Sequence, residues 1–226
     1  FVIINLSENL MLKNLYWSFL LFFCMLSVNS FPINIELCSI EDIIKESKKN
    51  LERFTDVKID LSYKLIEECD ISILCKYLKL LKNLESLELR LGASIINNNL
   101  LDLIIRSLEK DKIHTFFIEL FDNDINFDGA KYLIESLKNF NNLSRLAVDI
   151  DRNCFRESGA NAFADCLNYL SKLEYLYISF NACDIKDSGA IAICKSLGKL
   201  ENLKDLYIFL SENNITDQCL FTLSNS

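Results

Sequence analysis

The sequence has few of the residues that interrupt regular structure or that bind metals. Its 226 residues include one proline and five glycines, which leaves no stretch with the composition of a flexible linker. It has one histidine, His114, and no Cys-x-x-Cys spacing among its nine cysteines, which excludes the common zinc-site patterns. The cysteines are therefore expected to be small, buried apolar residues rather than metal ligands.

Side chains suited to catalysis are also scarce. One histidine gives little acid–base capacity near neutral pH, and the sequence has neither a glycine-rich phosphate loop nor a kinase signature. The segment 124–135 matches the pattern of an EF-hand calcium loop. However, Lys131 stands where such a loop places an apolar residue, and a strand signal precedes the segment. We therefore expect no enzymatic activity, no cofactor and no metal.

The composition is that of a folded domain with an acidic surface. Apolar residues make up 50% of the sequence and charged residues 25%, which excludes extended disorder. The formal net charge is −8. Because a nucleic-acid partner needs a concentrated basic face, this charge argues against binding to DNA or RNA.

The strongest signal is a repeat of about 30 residues. In each copy an apolar residue is followed by further apolar residues three, five and seven positions later. The copies begin near Phe54, Leu84, Ile113, Leu143, Leu173 and Leu203. Because alternating apolar residues indicate a strand, the frame predicts strands near 56–61, 86–91, 115–120, 145–150, 175–180 and 205–210.

A turn signal and a helix signal follow each predicted strand. Ten positions after the start, the later copies have a residue that can satisfy the backbone of a turn: Asn123, Asn153, Cys183 or Asn213. Three small polar residues precede apolar residues at helical spacing and are predicted to be N-caps: Asp128, Ser158 and Ser188. A Gly-Ala pair follows each of them and lets the helix pack closely. Each repeat is therefore one strand, one loop and one helix.

Such units bury their apolar faces only by stacking against one another. The array from about residue 51 to residue 226 resembles leucine-rich-repeat proteins of the ribonuclease-inhibitor type, whose pattern is L-x-x-L-x-L-x-x-N-x-[LI]. It departs from that pattern by two extra residues before the asparagine, as between Leu203 and Asn213. The resemblance implies an α/β solenoid, a right-handed horseshoe with a parallel sheet on the concave face and helices on the convex face. It also implies a protein-binding scaffold.

The N-terminal part gives a separate prediction. Residues 1–32 form an apolar segment, in which residues 11–30 resemble a secretory signal and residues 15–28 could be a membrane anchor. A hydrophobic cap helix and a mistranslated upstream segment are the alternatives. The repeat domain is predicted over 33–226, with a reduced first unit at 33–53. Because long repeats of this type resemble intracellular proteins, we expect a cytoplasmic location, or a secretory or membrane-anchored one if the segment is a signal.

The sequence starts at Phe1 and stops at Ser226, inside the last predicted helix. We therefore expect it to be a fragment of a longer protein or the product of a truncated gene model. Two functions remain open on this basis. One is a protein-interaction scaffold. The other is the recognition module of a larger enzyme, such as a protein kinase, whose catalytic domain lies outside this sequence.

The alternate strand positions, which face away from the predicted core, form the candidate binding site. Six of them are aromatic: Phe117, Phe121, Tyr175, Tyr177, Tyr207 and Phe209. Seven are acidic and three are basic, and three of the acidic residues border the late aromatics: Asp149, Asp151 and Asp205. We predict solvent-exposed aromatic anchors with an acidic rim that binds a basic protein segment. The alternative is an aromatic cross-strand ladder without a ligand.

Overall fold

The computed structural model describes residues 2–5, 34–47 and 51–216, which form an array of parallel strands and helices. The strands are β1 (Val2–Asn5), β2 (Asn34–Leu37), β3 (Asp56–Asp60), β4 (Ser86–Arg90), β5 (Thr115–Glu119), β6 (Arg145–Asp149), β7 (Tyr175–Ser179) and β8 (Asp205–Phe209). The helices are α1 (Ile40–Glu46), α2 (Glu68–Leu80), α3 (Asn98–Arg106), α4 (Phe127–Leu137), α5 (Arg156–Leu167) and α6 (Lys186–Leu197). A 3₁₀ turn, Leu51–Arg53, precedes β3.

The strands form one sheet in which every neighbouring pair is parallel. The order across the sheet is β1-β8-β7-β6-β5-β4-β3-β2, so that the order in space follows the sequence from β2 to β8. The six strands predicted from the repeat are confirmed, and each ends one residue earlier than predicted. Residues 2–5, which the sequence assigned to the apolar N-terminal segment, pair with β8 at the edge opposite β2.

One apolar core lies between the sheet and the helices. The frame residues of β4 illustrate it, because Leu87 and Leu89 are both completely buried. The helical positions predicted from the sequence pack into the same core, as Leu133 and Leu137 of α4 do. The strand and the helix of each unit therefore bury their apolar faces against each other, as the sequence predicted.

Three helices begin earlier than predicted. Helix α4 begins at Phe127, and the cap is Asn126, whose Oδ1 accepts hydrogen bonds from the backbone N–H of Asp128 and of Gly129 at 2.9 and 3.4 Å. Asp128 therefore lies in the first turn. Ser158 and Ser188 likewise lie inside α5 and α6. The N-cap prediction is wrong for these three residues, because the loop reaches helical geometry two or three residues sooner.

The Gly-Ala pairs allow the close helix packing that the sequence indicated. A β-carbon added at Gly189 would lie 2.7 Å from the β-carbon of Ala160 on the neighbouring helix. That separation is far below normal van der Waals contact, so a larger residue there would push α5 and α6 apart.

The cysteines divide between the core and the surface. The described part of the chain has seven, none of which is in a disulfide: Cys166, Cys183 and Cys194 are buried, Cys75 is half-buried, and Cys38, Cys69 and Cys154 are exposed. The prediction of burial is confirmed for the first three. It is wrong for the last three, because they lie in loops or in a first helical turn, outside the apolar frame.

Several predictions fall on parts of the chain that lie outside the described residues. They concern the signal-like segment 11–30, the anchor segment 15–28 and the end of the last repeat after residue 216. Within the described ranges, no helix combines the length and apolar character that crossing a membrane requires.

Candidate protein-binding face

The alternate strand residues point away from the helices and form a second surface, which we call the open sheet face. Because the parallel strands keep a constant register, equivalent positions stand side by side in three rows. The first row is Asp56, Ser86, Thr115, Arg145, Tyr175 and Asp205. The second is Lys58, Glu88, Phe117, Ala147, Tyr177 and Tyr207. The third is Asp60, Arg90, Glu119, Asp149, Ser179 and Phe209.

The end of this face near β7 and β8 is aromatic. We call it the aromatic cluster; it consists of Phe117, Ala147, Tyr175, Tyr177, Tyr207 and Phe209. The ring centres of Tyr175 and Tyr207 are 5.6 Å apart, and those of Tyr177 and Phe209 are 5.3 Å apart. These distances are typical of tilted aromatic pairs. The guanidinium of Arg145 lies 4.4 Å from the centre of the Tyr175 ring and adds a cation–π contact.

The rings of this cluster are buried, which corrects the prediction of solvent-exposed anchors. Tyr175 is 3% exposed, Tyr177 5%, Phe117 7% and Tyr207 9%, whereas Phe209 is half-buried. The prediction is wrong for the first four residues, because rings on neighbouring strands contact one another. The aromatic cross-strand ladder, which the sequence left as an alternative, is present in the structure.

Of the other predicted site residues, Phe121 lies apart from the cluster and Asp205 lies beside its edge. Phe121 follows β5 in the next turn, where its ring lies 5.5 Å from that of Tyr63. Asp205 is half-buried and begins β8, so that it stands in the first row beside Tyr175 and at the opposite end of the strand from Phe209. The structure therefore brings together the late aromatics but not the whole predicted set.

Asp151 joins two repeats and has a structural role in its turn. Its Oδ1 accepts hydrogen bonds from the Ser179 hydroxyl and the Asn181 backbone N–H, both at 2.7 Å. Its Oδ2 accepts a third, also at 2.7 Å, from the side-chain amide of Asn181. Three hydrogen bonds to one carboxylate are strong and directional, so Asp151 holds neighbouring turns together.

Asp149 is buried beside that turn. It is 5% exposed, and its Oδ1 accepts a hydrogen bond from the backbone N–H of Asp151 at 2.9 Å. Burial raises the pKa of Asp149 well above its usual value, and the negative charge of Asp151 raises it further. The predicted acidic rim is therefore partly enclosed at this point.

Two further carboxylates, which were not among the predicted site residues, lie next to the aromatic cluster: Glu88 is buried and Glu119 is half-buried. Glu88 and Glu119 stand in adjacent rows on β4 and β5, beside Asp149 on β6. Burial raises the pKa of Glu88 and of Glu119, and the positive charge of Arg90 opposes this rise. The only sequence signal for this group was an acidic residue at open-face positions of successive repeats.

A half-open cavity of about 20 Å³ separates the carboxylates from the rings. The residues that line it include Glu88, Phe117, Glu119, Ala147, Asp149 and Tyr177. The cavity exists because the small side chain of Ala147 stands between two aromatic residues in the second row. In the described part of the chain, no three His, Cys, Asp or Glu side chains are grouped so as to hold a metal ion.

Comparison with known proteins gives information about the fold. No protein-family profile and no curated protein matches the sequence. One similar solved structure is "Leiomodin-1 Actin-Binding Site 2 (ABS2)", with 16% identity over 72% of this chain and 90% of that chain, and a TM-score of 0.52. Another is a methylaspartate ammonia lyase from Citrobacter amalonaticus, with 13% identity over 99% of this chain and 51% of that chain. Its TM-score of 0.26 is too low to support an argument. The first likeness supports an array of repeated parallel strand–helix units, consistent with leucine-rich repeats.

Proposed function

We propose that this chain is a protein-binding scaffold that uses the open sheet face of a leucine-rich-repeat array. The observation that carries the proposal is the constant register of β3 to β8. This register makes one continuous surface from six successive repeats, on which an extended partner can contact several strands at once. Such surfaces are the usual binding faces of solenoid proteins.

The proposed shape is a right-handed horseshoe of the ribonuclease-inhibitor type. Neighbouring strands lie about 4.8 Å apart, whereas packed helices need about 8–10 Å. A unit with a strand on one side and a helix on the other is therefore wider on the helix side, so a stack of such units curves. The open sheet face is then concave, and parallel crossovers favour the right-handed form.

The proposed partner is a protein with a basic segment. The similar solved structure is named for an actin-binding site, which supports a protein as the class of ligand without identifying it here. The net charge of −8 and the excess of acidic over basic residues on the open sheet face favour a basic partner and disfavour a nucleic acid. Binding without catalysis, cofactor or metal is part of the same proposal.

The buried rings change which residues would contact the partner. We propose that Tyr175, Tyr177 and Tyr207 form the floor of the face. The first contacts then fall on half-buried acidic side chains of the third row, such as Asp60 and Glu119. The previously predicted acidic residues contribute a negative potential around this floor and speed association with a basic segment.

Affinity capture with matched surface variants tests this proposal. Thr115→Arg places a bulky positive charge in the first row of the open sheet face, and Ser72→Arg places the same side chain on the exposed side of α2. A protein captured by the unmodified chain is identified, purified and titrated against all three forms. We expect Thr115→Arg to weaken binding at least about tenfold and Ser72→Arg to leave it unchanged. The reverse result would place the binding surface on the helices.

A further inference from the structure

The cavity beside Ala147 has room for one small chemical group. Its volume of about 20 Å³ suits a group as large as a water molecule. The rings of Phe117 and Tyr177 flank it in the second row, and Glu88 and Glu119 line its charged side. Aromatic faces and carboxylates together are the surroundings that proteins use for a cation.

Glu88 has an unused acceptor at this cavity. The residue is 5% exposed, and its Oε2 has no hydrogen-bond partner among the residues that the structure describes. Arg90 forms an ion pair with the other oxygen, Oε1. Because nearly all buried polar atoms in native proteins have a partner, a carboxylate oxygen in this state indicates a missing donor.

The local charges also leave room for a cation. The carboxylates of Asp60, Glu88 and Glu119 lie around one guanidinium, that of Arg90, whereas the cation near Asp149 is Arg152. Lys58, a further nearby cation, is in an ion pair of 2.7 Å with Glu36 on β2. Four carboxylates, of which Glu88 and Asp149 are buried, therefore face three cations, Arg90, Lys58 and Arg152. Because Lys58 also pairs with Glu36, negative charge is in excess here, and a further cation would be favourable.

We propose, on the basis of the protein-binding function above, that this cavity binds the ammonium group of a lysine side chain from the partner. An ammonium has three donors, one of which can satisfy Glu88 Oε2. It is also compact, whereas the planar guanidinium of arginine is larger than a water-sized cavity. The proposal thus specifies one anchor residue in the basic segment.

Titration with two small organic cations tests the cavity without any protein partner. The probes are n-butylammonium and n-butylguanidinium, which imitate the side-chain ends of lysine and arginine. Binding is followed in NMR spectra by the chemical shifts of the side-chain carboxyl carbons and of the Ala147 methyl group. We expect saturable shifts at Glu88 and Glu119 with butylammonium, and at least about tenfold weaker binding of butylguanidinium. Equal shifts with sodium chloride at the same concentration, or no shift at Glu88, would overturn the proposal.

Two variants separate the volume of the cavity from its charge. Ala147→Leu fills the space and leaves every carboxylate in place, whereas Glu88→Gln removes one charge at nearly constant shape. Each is expected to weaken butylammonium binding, and the binding of the captured partner, at least about tenfold. If Thr115→Arg abolishes partner binding while both cavity variants retain it, the proposed binding face is supported and the lysine site is refuted. If Thr115→Arg has no effect but butylammonium still binds, the binding face is refuted and the cavity remains a cation site.

Discussion

The side-chain amide of Asn153 donates a hydrogen bond of 2.8 Å to the carbonyl oxygen of Leu120, in the preceding repeat. The same amide donates to Ile150 within its own turn at 3.0 Å, and its oxygen accepts from the backbone N–H of Ile125 at 3.1 Å. One side chain therefore closes the turn after β6 and ties it to the repeat before. Equivalent donor bonds are made by Asn123 and Asn213.

Replacing Asn153 with alanine should destabilise the array strongly. The residue is 4% exposed, so its loss leaves buried backbone groups without partners, and we expect a decrease of about 3 kcal/mol in the free energy of unfolding. Urea denaturation followed by circular dichroism measures this. The control is Asn202→Ala, because Asn202 is exposed and its amide makes one hydrogen bond of 2.8 Å, to Ser171. Equal losses in both variants would contradict the structural role of Asn153.

The equivalent position in the next repeat, residue 183, allows a stabilising substitution to be tested. Cys183 occupies it, and its thiol donates to the carbonyl of Ile150 at 3.1 Å. A thiol is a weak donor and a weak acceptor, so Cys183→Asn should restore the stronger bonds and raise the free energy of unfolding by about 1 kcal/mol. Cys194→Asn is the control, since Cys194 is buried in the apolar core and the change should destabilise. A loss of stability in both variants would show that only sulfur fits at position 183.

The sequence predicted the strands well because their pattern has a single physical solution. An apolar residue at every second position leaves one face to bury, and Leu87 and Leu89 bury it as expected. The exposure of the other face could not be predicted in this way. Alternation gives the direction in which Tyr177 points, but its burial depends on the rings that the register places beside it.

The arrangement of the carboxylates around Glu88 could not be predicted from the sequence either. Position in the repeat places Glu88 on the open sheet face, but it does not show which oxygen Arg90 reaches. That outcome depends on side-chain geometry across two positions of one strand. The cavity depends equally on the small size of Ala147 relative to the rings on either side. Such features require the assembled structure.

Truncating a ring of the aromatic cluster should reduce the stability of the array. Tyr177 is 5% exposed and contacts the rings of Tyr207 and Phe209. We therefore expect Tyr177→Ala to lower the free energy of unfolding by about 3 kcal/mol in urea denaturation. Tyr169→Ala is the control, because that ring is 65% exposed on the helix side and its loss should cost less than about 0.5 kcal/mol. An unchanged unfolding midpoint for Tyr177→Ala would restore the interpretation of the rings as exposed anchors.

The buried carboxylates should make stability depend on pH in a defined direction. The pKa values of Glu88, Glu119 and Asp149 are raised in the folded state, chiefly by burial. The folded protein then binds protons more tightly than the unfolded chain, so their stabilising contribution is complete below the unfolded pKa. It is lost as the pH rises through the folded value. A tenfold difference in proton affinity corresponds to about 1.4 kcal/mol.

Neutral replacements should remove this dependence. The triple variant Glu88→Gln, Glu119→Gln and Asp149→Asn is compared with the unmodified protein by urea denaturation between about pH 4 and pH 8. We expect the variant to gain stability relative to the unmodified protein as the pH rises, since it no longer loses bound protons. A difference between the two proteins that does not change with pH would refute the raised pKa values.

Thiol labelling provides a site-by-site test of the core. Burial raises the pKa of Cys166 to about 12, and because only the thiolate reacts, this residue should be unreactive in the folded protein near pH 7.5. Cys154 is exposed and should be alkylated much faster than the buried thiols. Cys69 is exposed as well, but its pKa is raised by desolvation and by the nearby charges of Asp70 and Glu67, so it should react more slowly than Cys154. Cys75 is half-buried and should fall between the exposed and buried thiols.

Mass spectrometry of digested, iodoacetamide-treated protein gives each rate separately. We expect Cys166 to react at least about 100-fold more slowly than Cys154, because labelling requires local opening of the array. In denaturant the two rates should become similar, since desolvation and packing are both removed. Cys166 donates a hydrogen bond from α5 to the carbonyl of Ile134 in the preceding helix at 3.4 Å. Rapid labelling of Cys166 in the folded protein would therefore mean that α4 and α5 separate readily and that the packing between these repeats is loose.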